Sequence, residues 1–223
     1  MKYTLLSAFE HLPYFTIEGF RQIAGDAAID DARARIALSR WVKAGHLIAL
    51  KNGVYMHRRF YEQHRQEAAF APVVSSILLS QSYLSLEYVL QLHGILTEIT
   101  YPVTAISIKN TRTIVNHLGT FVYRHIQPGL YFGFQIMDAY GVPYAQAPVA
   151  KALFDYLYLR LLPPDLDPQH YNLAEELRLN LEEFNREEQD EFTGYVLKSG
   201  TTRWGSAKMR HILNNLEAHV WRR

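Results

Sequence analysis

The chain has 223 residues, of which 48% are hydrophobic and 20% are charged, and its formal net charge is +1. Such a chain forms one or two globular domains rather than a disordered or fibrous protein, and the absence of cysteine excludes a disulfide framework, a cysteine-based zinc site and a thiol nucleophile. Its apolar runs are too short for a signal peptide or a membrane span, so we expect a cytoplasmic protein without a membrane partner.

Two short helices are predicted at the start of the chain. The first covers residues 2–11 and ends before Pro13, which cannot continue a helix. The second covers residues 17–24. Thr16 is its predicted N-cap, because a threonine hydroxyl can accept a hydrogen bond from a free amide of the first turn. Glu18 lies early in that turn, where the helix dipole favours an acid.

A third, amphipathic helix is predicted from an N-cap at Asp30 or Asp31 to about Ala44, with Gly45 as the glycine that often follows a helix end. At about 100° per residue it has one apolar and one basic face. The apolar face, which we expect in the core, holds Ala34, Ala37, Leu38, Trp41 and Val42. The opposite face, where every charge after the cap is positive, holds Arg33, Arg35, Ile36, Ser39, Arg40 and Lys43.

A β-hairpin is predicted after the third helix, because two β-prone runs flank Lys51-Asn52-Gly53. Asn-Gly favours a type I′ turn, in which both central residues have positive φ. The order helix, helix, basic helix and hairpin predicts a winged helix-turn-helix in residues 1–66, with Lys51 and Asn52 at the tip of the wing.

Positive charge is concentrated in the first part of the chain. Residues 1–66 carry 10 Lys and Arg against 6 Asp and Glu, a net +4, whereas residues 67–223 carry 13 against 16, a net −3. Residues 32–61 contain no acid, and their seven cations are Arg33, Arg35, Arg40, Lys43, Lys51, Arg58 and Arg59. Such a block is typical of a nucleic-acid reader. The alternative is a solvated face whose acids lie elsewhere.

Double-stranded DNA is therefore the expected partner, with the third helix in the major groove. Arg33 and Arg35 are predicted to contact guanine, because arginine can bond O6 and N7 together, and Ile36 is predicted to touch a thymine methyl group. Contacts to bases or backbone are expected from Ser39 and Arg40. Contacts that only position the protein on the DNA are expected from Lys43, Lys51, Arg58 and Arg59, and Asn52 is a further candidate DNA contact at the wing tip. The alternative for Arg58 and Arg59 is to cap the wing or to pair with the second domain.

Residues 67–223 are predicted to form a mixed α/β domain, so the expected fold class is α+β. The predicted helices of this domain are 68–80, 85–93 with Ser85 as N-cap, 148–160, and a helical tail from about 165. A small antiparallel sheet is predicted from strands 102–108, 120–126 and 131–138. Residues 99–137 contain no acid, and Lys109, Arg112 and Arg124 form a second candidate basic surface. This surface extends the DNA footprint, faces an acidic partner, or is a sheet with a few solvated cations.

No motif of an enzyme is found. The histidines lack metal-binding spacing, and the sequence has no GxSxG elbow, P-loop or GxGxxG. Gly205-Ser206 is similar to the start of a nucleotidyltransferase site, but only Glu217 follows, and a carboxylate pair is needed to hold Mg²⁺. We therefore expect no catalytic activity, no metal and no cofactor.

The chain resembles AbiEi-type antitoxins of type IV toxin–antitoxin systems over about residues 10–160. In the N-terminal part the resemblance lies in "FTIEGFRQIAG" and "ALSRWVKAGHLIALKNGVYMH", and in the second domain in "SYLSLEYVLQLHGIL", "FVYRHIQPGLYFGFQ" and "AQAPVAKALFDYLYLR". Where the family usually has Pro-Glu-Lys, this chain has Pro148-Val149-Ala150-Lys151, so an acid is lost. The positions that still fit the family pattern are Lys151, Ala152, Leu153 and Asp155.

The resemblance implies a protein with two functions. The winged helix would bind inverted repeats in its own promoter and repress it, and the second domain would counter a nucleotidyltransferase-like toxin. Two alternatives stay open from the residues alone. The protein is a stand-alone winged-helix regulator without a toxin, or it is a protein-interaction module that does not bind DNA.

Overall fold

The computed structural model describes residues 2–25, 29–97, 102–161, 171–182, 184–200 and 206–221. Over these residues the chain has the predicted mixed α+β character, with a three-stranded and a six-stranded sheet. Contacts divide it into two compact units. The first comprises Met1–Ser80, Val115–Leu118 and Asp138–Tyr144, and the second comprises Gln81–Ile114, Gly119–Met137 and Ala145–Arg223. Among the helices described, none has the length and apolar character that crossing a membrane requires.

The first unit begins with helices and a small antiparallel sheet in strand order β1-β3-β2. Its elements in chain order are α1 (Lys2–Ser7), β1 (Phe15–Thr16), α2 (Ile17–Ala24), α3 (Asp31–Lys43), β2 (Leu47–Lys51), β3 (Val54–His57), α4 (Arg58–His64) and α5 (Phe70–Leu78). Helix α5 belongs to this unit, so the compact unit extends past Gln66, where the sequence predicts the end of the first domain.

The predicted caps of α2 and α3 are confirmed. The Thr16 hydroxyl accepts a hydrogen bond from the Gly19 amide at 3.1 Å, and the Asp30 carboxylate accepts one from the Arg33 amide at 2.7 Å. Gly45 follows α3 with a φ of 77°, a conformation that favours glycine. Each of these signals is local, which is why the sequence predicts them.

The apolar face of α3 lies in the core, as predicted. Ala34 and Leu38 are fully buried, and Ala37, Trp41 and Val42 pack against the same cluster. The Trp41 ring meets the Phe20 ring of α2 edge-on, with centroids 5.6 Å apart. This packing fixes which face of α3 is left to solvent.

The hairpin joins β2 and β3 as predicted, but its turn differs. Gly53 has a φ of 76°, whereas Asn52 is not in the positive-φ region, so the predicted type I′ turn is wrong. Of the two central positions, only that of Gly53 therefore requires glycine. The Gly53 carbonyl also accepts a hydrogen bond from the Ile17 amide at 3.1 Å, which ties the hairpin to the start of α2.

Most residues of a six-stranded mixed sheet belong to the second unit, and the strand order of this sheet is β6-β7-β5-β4-β9-β8. Its strands are β4 (Ser82–Leu84), β5 (Val103–Ser107), β6 (Arg112–Asn116), β7 (Gly119–His125), β8 (Gln135–Ala139) and β9 (Val142–Gln146). The helices of the second unit are α6 (Glu87–Leu92), α7 (Val149–Leu159), α8 (Leu173–Glu176), α9 (Arg186–Ser199) and α10 (Ser206–His219), with a 3-10 turn at Pro128–Leu130.

The predicted small antiparallel sheet is wrong in both size and pairing. Strands β5 and β7 pair in parallel, as do β4 and β9, whereas β4 and β5 pair antiparallel, so the sheet is mixed. All five residues of β5 are buried, and burial on both faces is typical of parallel strands. The sequence did not predict strands β4, β6 and β9.

Ser85 is not the N-cap of α6, contrary to the sequence prediction. Its hydroxyl donates a hydrogen bond to Asp155 at 2.8 Å, and the helix begins two residues later at Glu87. The residue before the helix, Leu86, has a φ of 62° and is buried. Left-handed backbone at a non-glycine residue is uncommon and indicates local strain. The predicted helical tail is present as α8, α9 and α10, while residues 162–170 and Gly205 lie outside the described residues.

Candidate nucleic-acid interface

The face of α3 opposite the core carries six exposed side chains. Since Ala34 and Leu38 anchor the helix, the 3.6-residue period turns the positions between them outwards. The exposed residues are Arg33, Arg35, Ile36, Ser39, Arg40 and Lys43. Ile36 is 52% exposed, although isoleucine is usually buried. The structure thus brings together on one surface all the residues of α3 that the sequence singles out, and we call this surface the α3 face.

Two arginines of the α3 face lie near acids of the first turn. Arg33 Nε is 3.7 Å from Asp30 Oδ2, and Arg35 Nη2 is 3.9 Å from Asp31 Oδ2. Asp31 Oδ1 is also 3.1 Å from Arg21 Nη1, so Arg35 shares this carboxylate. Ion pairs between exposed side chains contribute about 0–1 kcal/mol. The guanidinium groups can therefore leave these acids at little cost.

The positive charge at the C-terminal end of the α3 face is not compensated by an acid. Within the described part of the chain, neither Arg40 nor Lys43 has an ion-pair partner. Both lie in the last turn of α3, where the helix dipole favours cations. These two side chains are therefore available for a phosphate or a base edge without breaking an existing contact.

Lys51 is exposed at the end of β2, but its ammonium group already has partners. Lys51 Nζ donates hydrogen bonds to the carbonyl oxygens of Ile77 at 2.5 Å and Leu78 at 3.3 Å, at the C-terminal end of α5. Basic groups at this end satisfy carbonyls that have no amide partner within the helix. Lys51 therefore has a structural contact that the sequence did not reveal, whereas Asn52 is exposed at the turn.

Arg58 and Arg59 both lie at the start of α4 and both contact other parts of the first unit. Arg58 Nε donates to the Gly45 carbonyl at 2.8 Å, and its Nη1 is 3.8 Å from Glu62. Arg59 Nη1 lies 2.7 Å from Glu10 Oε2. Both arginines therefore already have structural contacts within the first unit, which the sequence did not reveal.

The three cations of the second candidate basic surface do not share one environment. Lys109 and Arg112 are exposed on either side of the connection between β5 and β6, and Arg112 Nε donates to the Asn110 carbonyl at 3.3 Å. The His125 ring lies 3.3 Å from the Lys109 carbonyl, which holds this connection beside β7. Arg124, by contrast, lines a cavity of about 260 Å³. The three cations are all exposed, but only Arg124 belongs to a concave site.

A buried ion pair occupies the centre of the second unit, at Lys151 and Asp155 of α7. Lys151 Nζ contacts Asp155 Oδ1 and lies 3.2 Å from the Leu130 carbonyl. Asp155 Oδ2 accepts hydrogen bonds from the Tyr83 hydroxyl at 2.9 Å and the Ser85 hydroxyl at 2.8 Å. Both members of the pair are 0% exposed.

Burial sets the ionisation of this network. It lowers the pKa of Lys151 and raises the pKa of Asp155, while the direct contact between the two groups opposes both changes. Burial and the neighbouring Asp155 carboxylate raise the pKa of Tyr83 far above its ordinary value, so its hydroxyl stays a donor. The i to i+4 spacing of Lys151 and Asp155 was visible in the sequence, but their burial was not. The polar groups of Lys151 and Asp155 all have hydrogen-bond partners in this network, and we assign the pair a structural role.

No protein-family model matches this sequence, and no curated protein shows significant similarity to it. The resemblance to AbiEi-type antitoxins accordingly stays a prediction that depends on the motifs quoted above. Evidence for a function therefore comes from the side chains that the structure places on the surface, above all those of the α3 face.

The α3 face has the chemistry of a polyanion-binding surface. It combines arginines, which bond planar acceptors and phosphates in a bidentate manner, with a lysine and a hydroxyl group. Its single apolar residue, Ile36, lies among them. An α-helix with such a face fits the width of the DNA major groove.

Proposed function

We propose that the first unit is a winged helix-turn-helix that binds double-stranded DNA with the α3 face in the major groove. The element order α2, α3, β2 and β3, closed by a three-stranded antiparallel sheet, supports this fold assignment. The observation that carries the functional proposal is the α3 face. Its charged residues are all positive, and Arg40 and Lys43 have no ion-pair partner in the described chain.

The side chains of the α3 face have different roles in the proposed DNA complex. Arg33 and Arg35, near the N-terminus of α3, exchange the carboxylates of Asp30 and Asp31 for guanine edges. Ile36 meets a thymine methyl group, and Ser39 reaches a base or a phosphate. Arg40 and Lys43 bind phosphate oxygens and fix the register of the protein on the duplex.

The hairpin contributes less charge than its sequence predicts. Because the Lys51 ammonium is bonded to the end of α5, the contact at the wing tip comes from Asn52. Arg58 keeps a side chain that is 47% exposed and can reach a phosphate while its Nε stays on the Gly45 carbonyl. We therefore assign most of the affinity to α3.

At the level of the whole protein, we propose a cytoplasmic transcriptional autoregulator that binds inverted repeats in its promoter. We further propose that the second unit acts as an antitoxin against a nucleotidyltransferase-like toxin, and that the chain is not an enzyme. The support for this part is the family resemblance. It is tested genetically: a neighbouring reading frame for such a toxin, whose toxicity is relieved by co-expression of this chain, is the expected result, and undiminished toxicity contradicts it.

DNA binding is tested by a gel shift with the DNA upstream of the gene at two salt concentrations. The double variant Arg40→Ala/Lys43→Ala should bind at least about tenfold more weakly than the wild type at low salt, because two phosphate contacts are lost. It should also show a shallower salt dependence, by about 1 for each lost contact. A matched control is Arg186→Ala/Arg210→Ala, which removes two exposed cations of the second unit that belong to neither candidate basic surface. If wild type does not shift the DNA, or the α3 variant binds as well as the control, the proposal is wrong.

A further inference from the structure

The C-terminal end of α7 faces a concave site that the DNA-binding proposal does not use. The cavity of about 260 Å³ lies between this end of α7, the start of α6 and strand β7. Its polar lining among the described residues comes from Glu87, Arg124, Tyr156 and Arg160. Leucines supply the rest of the wall. All these residues belong to the second unit.

Neither arginine of this cavity forms an ion pair with a carboxylate of the described residues. The guanidinium group of Arg124, which lies on β7 opposite Ile106 of β5, has no hydrogen-bond or ion-pair partner among the described residues. Arg160 donates a hydrogen bond to the Tyr156 hydroxyl at 2.5 Å, and its guanidinium carbon lies 5.1 Å from the centre of the Tyr156 ring. This contact holds the Arg160 guanidinium group in place and leaves its remaining N–H donors for a ligand.

A third cation strengthens the positive field near Arg160. Lys208 of α10 donates to the carbonyl oxygens of Tyr158 at 2.7 Å and Arg160 at 2.5 Å. It thereby neutralises the negative end of the α7 dipole, which would otherwise repel an anion. Burial lowers the pKa of Lys208 to about 8, so the group is mostly protonated at neutral pH. Against these three cations stands the carboxylate of Glu87.

The site continues into a second, wider cavity. This neighbouring space of about 460 Å³ shares Glu87, Tyr156 and Arg160 with the first and adds Glu176 and Arg178. Leu86, at the rim of the smaller cavity, and Arg178, at the rim of the larger one, both have positive φ, at 62° and 51°. Strained backbone of this kind at non-glycine residues is concentrated at ligand-binding sites.

We propose that this double cavity binds a phosphate monoester carried on a hydroxylated body, such as a sugar phosphate. The dianionic phosphate lies between the guanidinium groups of Arg124 and Arg160, which are suited to bidentate phosphate contacts. The hydroxylated part extends into the wider cavity, where the carboxylates of Glu87 and Glu176 accept its hydroxyl hydrogen bonds. Apolar walls with a few convergent polar groups are typical of small-molecule sites. This inference is independent of the DNA-binding proposal.

Isothermal titration calorimetry of the full chain tests the site with ribose 5-phosphate, inorganic phosphate and ribose as probes. Ribose 5-phosphate should bind most tightly, inorganic phosphate more weakly, and ribose without measurable heat. Arg124→Ala and Arg160→Ala should each weaken ribose 5-phosphate at least about tenfold, because a charge-assisted bidentate contact is lost. Tyr156→Phe should also weaken it, since Arg160 loses the hydroxyl that positions it.

The matched control is Arg112→Ala, which removes an exposed arginine of β6 from outside the cavity. Circular dichroism confirms the fold of each variant, and Arg124→Lys, which keeps the charge but not the bidentate geometry, covers the case in which the alanine variant does not fold. Absence of heat for both phosphate probes with wild type overturns the proposal, as does an equal loss in Arg112→Ala. Displacement of ribose 5-phosphate by blunt duplex DNA overturns it as well, because the cavity would then take a backbone phosphodiester.

Discussion

Lys51 Nζ lies 2.5 Å from the carbonyl oxygen of Ile77, 26 residues further along the chain. A lysine at the end of a hairpin strand thus caps the C-terminus of a helix. Lys43, on α3, is exposed and has no such partner among the described residues. The two lysines lie in the same basic block of the sequence but differ in what they contact.

Substitutions at these two lysines should therefore have opposite effects. Lys51→Met should destabilise the first unit by about 1 kcal/mol, the usual net contribution of a hydrogen bond, with little effect on DNA affinity. Lys43→Met should leave stability unchanged and weaken DNA binding. Urea denaturation and the gel shift, carried out on both variants, measure the two effects. Equal behaviour of the two variants in both measurements would show that the Lys51 contact does not matter in solution.

The buried ion pair predicts a large penalty for removing one partner. Lys151→Met leaves the Asp155 carboxylate buried without its counter-ion, which should cost about 3–5 kcal/mol. Replacing both residues, with Lys151→Met and Asp155→Leu, should cost less than Lys151→Met alone, although Tyr83 and Ser85 then lose an acceptor. The free energies of unfolding from urea titration give the comparison. A double variant less stable than the single one contradicts the prediction.

Gly133 should not tolerate a side chain. Its φ is 79°, and a Cβ atom at this position would lie 2.8 Å from Cε1 of Tyr195, whose hydroxyl is bonded to Glu191. Gly133→Ala should therefore lower the free energy of unfolding by about 1–3 kcal/mol, through backbone strain and overpacking. Gly129→Ala is the control, because a Cβ there has nothing within 4 Å and the backbone is not in the positive-φ region. Similar melting temperatures for the two variants would argue against this packing.

His57 should make the first unit less stable in mild acid. It is buried, and its Nδ1 accepts a hydrogen bond from the Arg59 amide at 3.1 Å, which requires the neutral ring. Burial lowers the pKa of His57 below its ordinary value, an effect that Glu10 opposes and that His46 and Arg59 reinforce. The unfolded chain then binds more protons than the folded one as pH falls below about 6.5. Stability is therefore fully present above that pH and decreases as pH falls towards the lower folded pKa.

The variant His57→Asn checks the assignment. Asparagine can still accept the Arg59 amide hydrogen bond as an N-cap but does not titrate. Melting temperatures measured between about pH 5 and 7 should fall with acid more steeply for wild type than for this variant. The same slope in both proteins would place the responsible group elsewhere.

The parts of the structure predicted from sequence are those with local signals. The caps at Thr16 and Asp30 and the two faces of α3 depend on residues within one or two helical turns. The contact from Lys51 to Ile77 and the one from Ser85 to Asp155 join residues far apart in sequence, and no local pattern encodes them. In both cases the sequence suggests a local role for a polar side chain, but in the structure this side chain donates a hydrogen bond to a residue far away in the chain.

The strand order of the larger sheet could not be predicted for a related reason. Parallel pairing of β5 with β7 requires β6 to lie outside them, at the edge, and the five residues of β6 carry no alternation that fixes this position. The cavity at the end of α7 likewise joins residues of β7, α6 and α7. From the sequence, Arg124 was only one cation in an acid-free stretch.

If the α3 face binds DNA as proposed, Asp30 and Asp31 affect how selective that binding is. Each arginine at the start of the α3 face must leave a carboxylate before it contacts DNA. On a random stretch of duplex the arginine exchanges its carboxylate partner mainly for phosphate oxygens. Because the phosphates also repel the two acids, this exchange contributes little binding free energy. A guanine at the right position offers two acceptors at once and tips the exchange towards binding. The acids beside the arginines would thus weaken binding to random DNA more than binding to the operator, which shortens the time spent on wrong sites during the search.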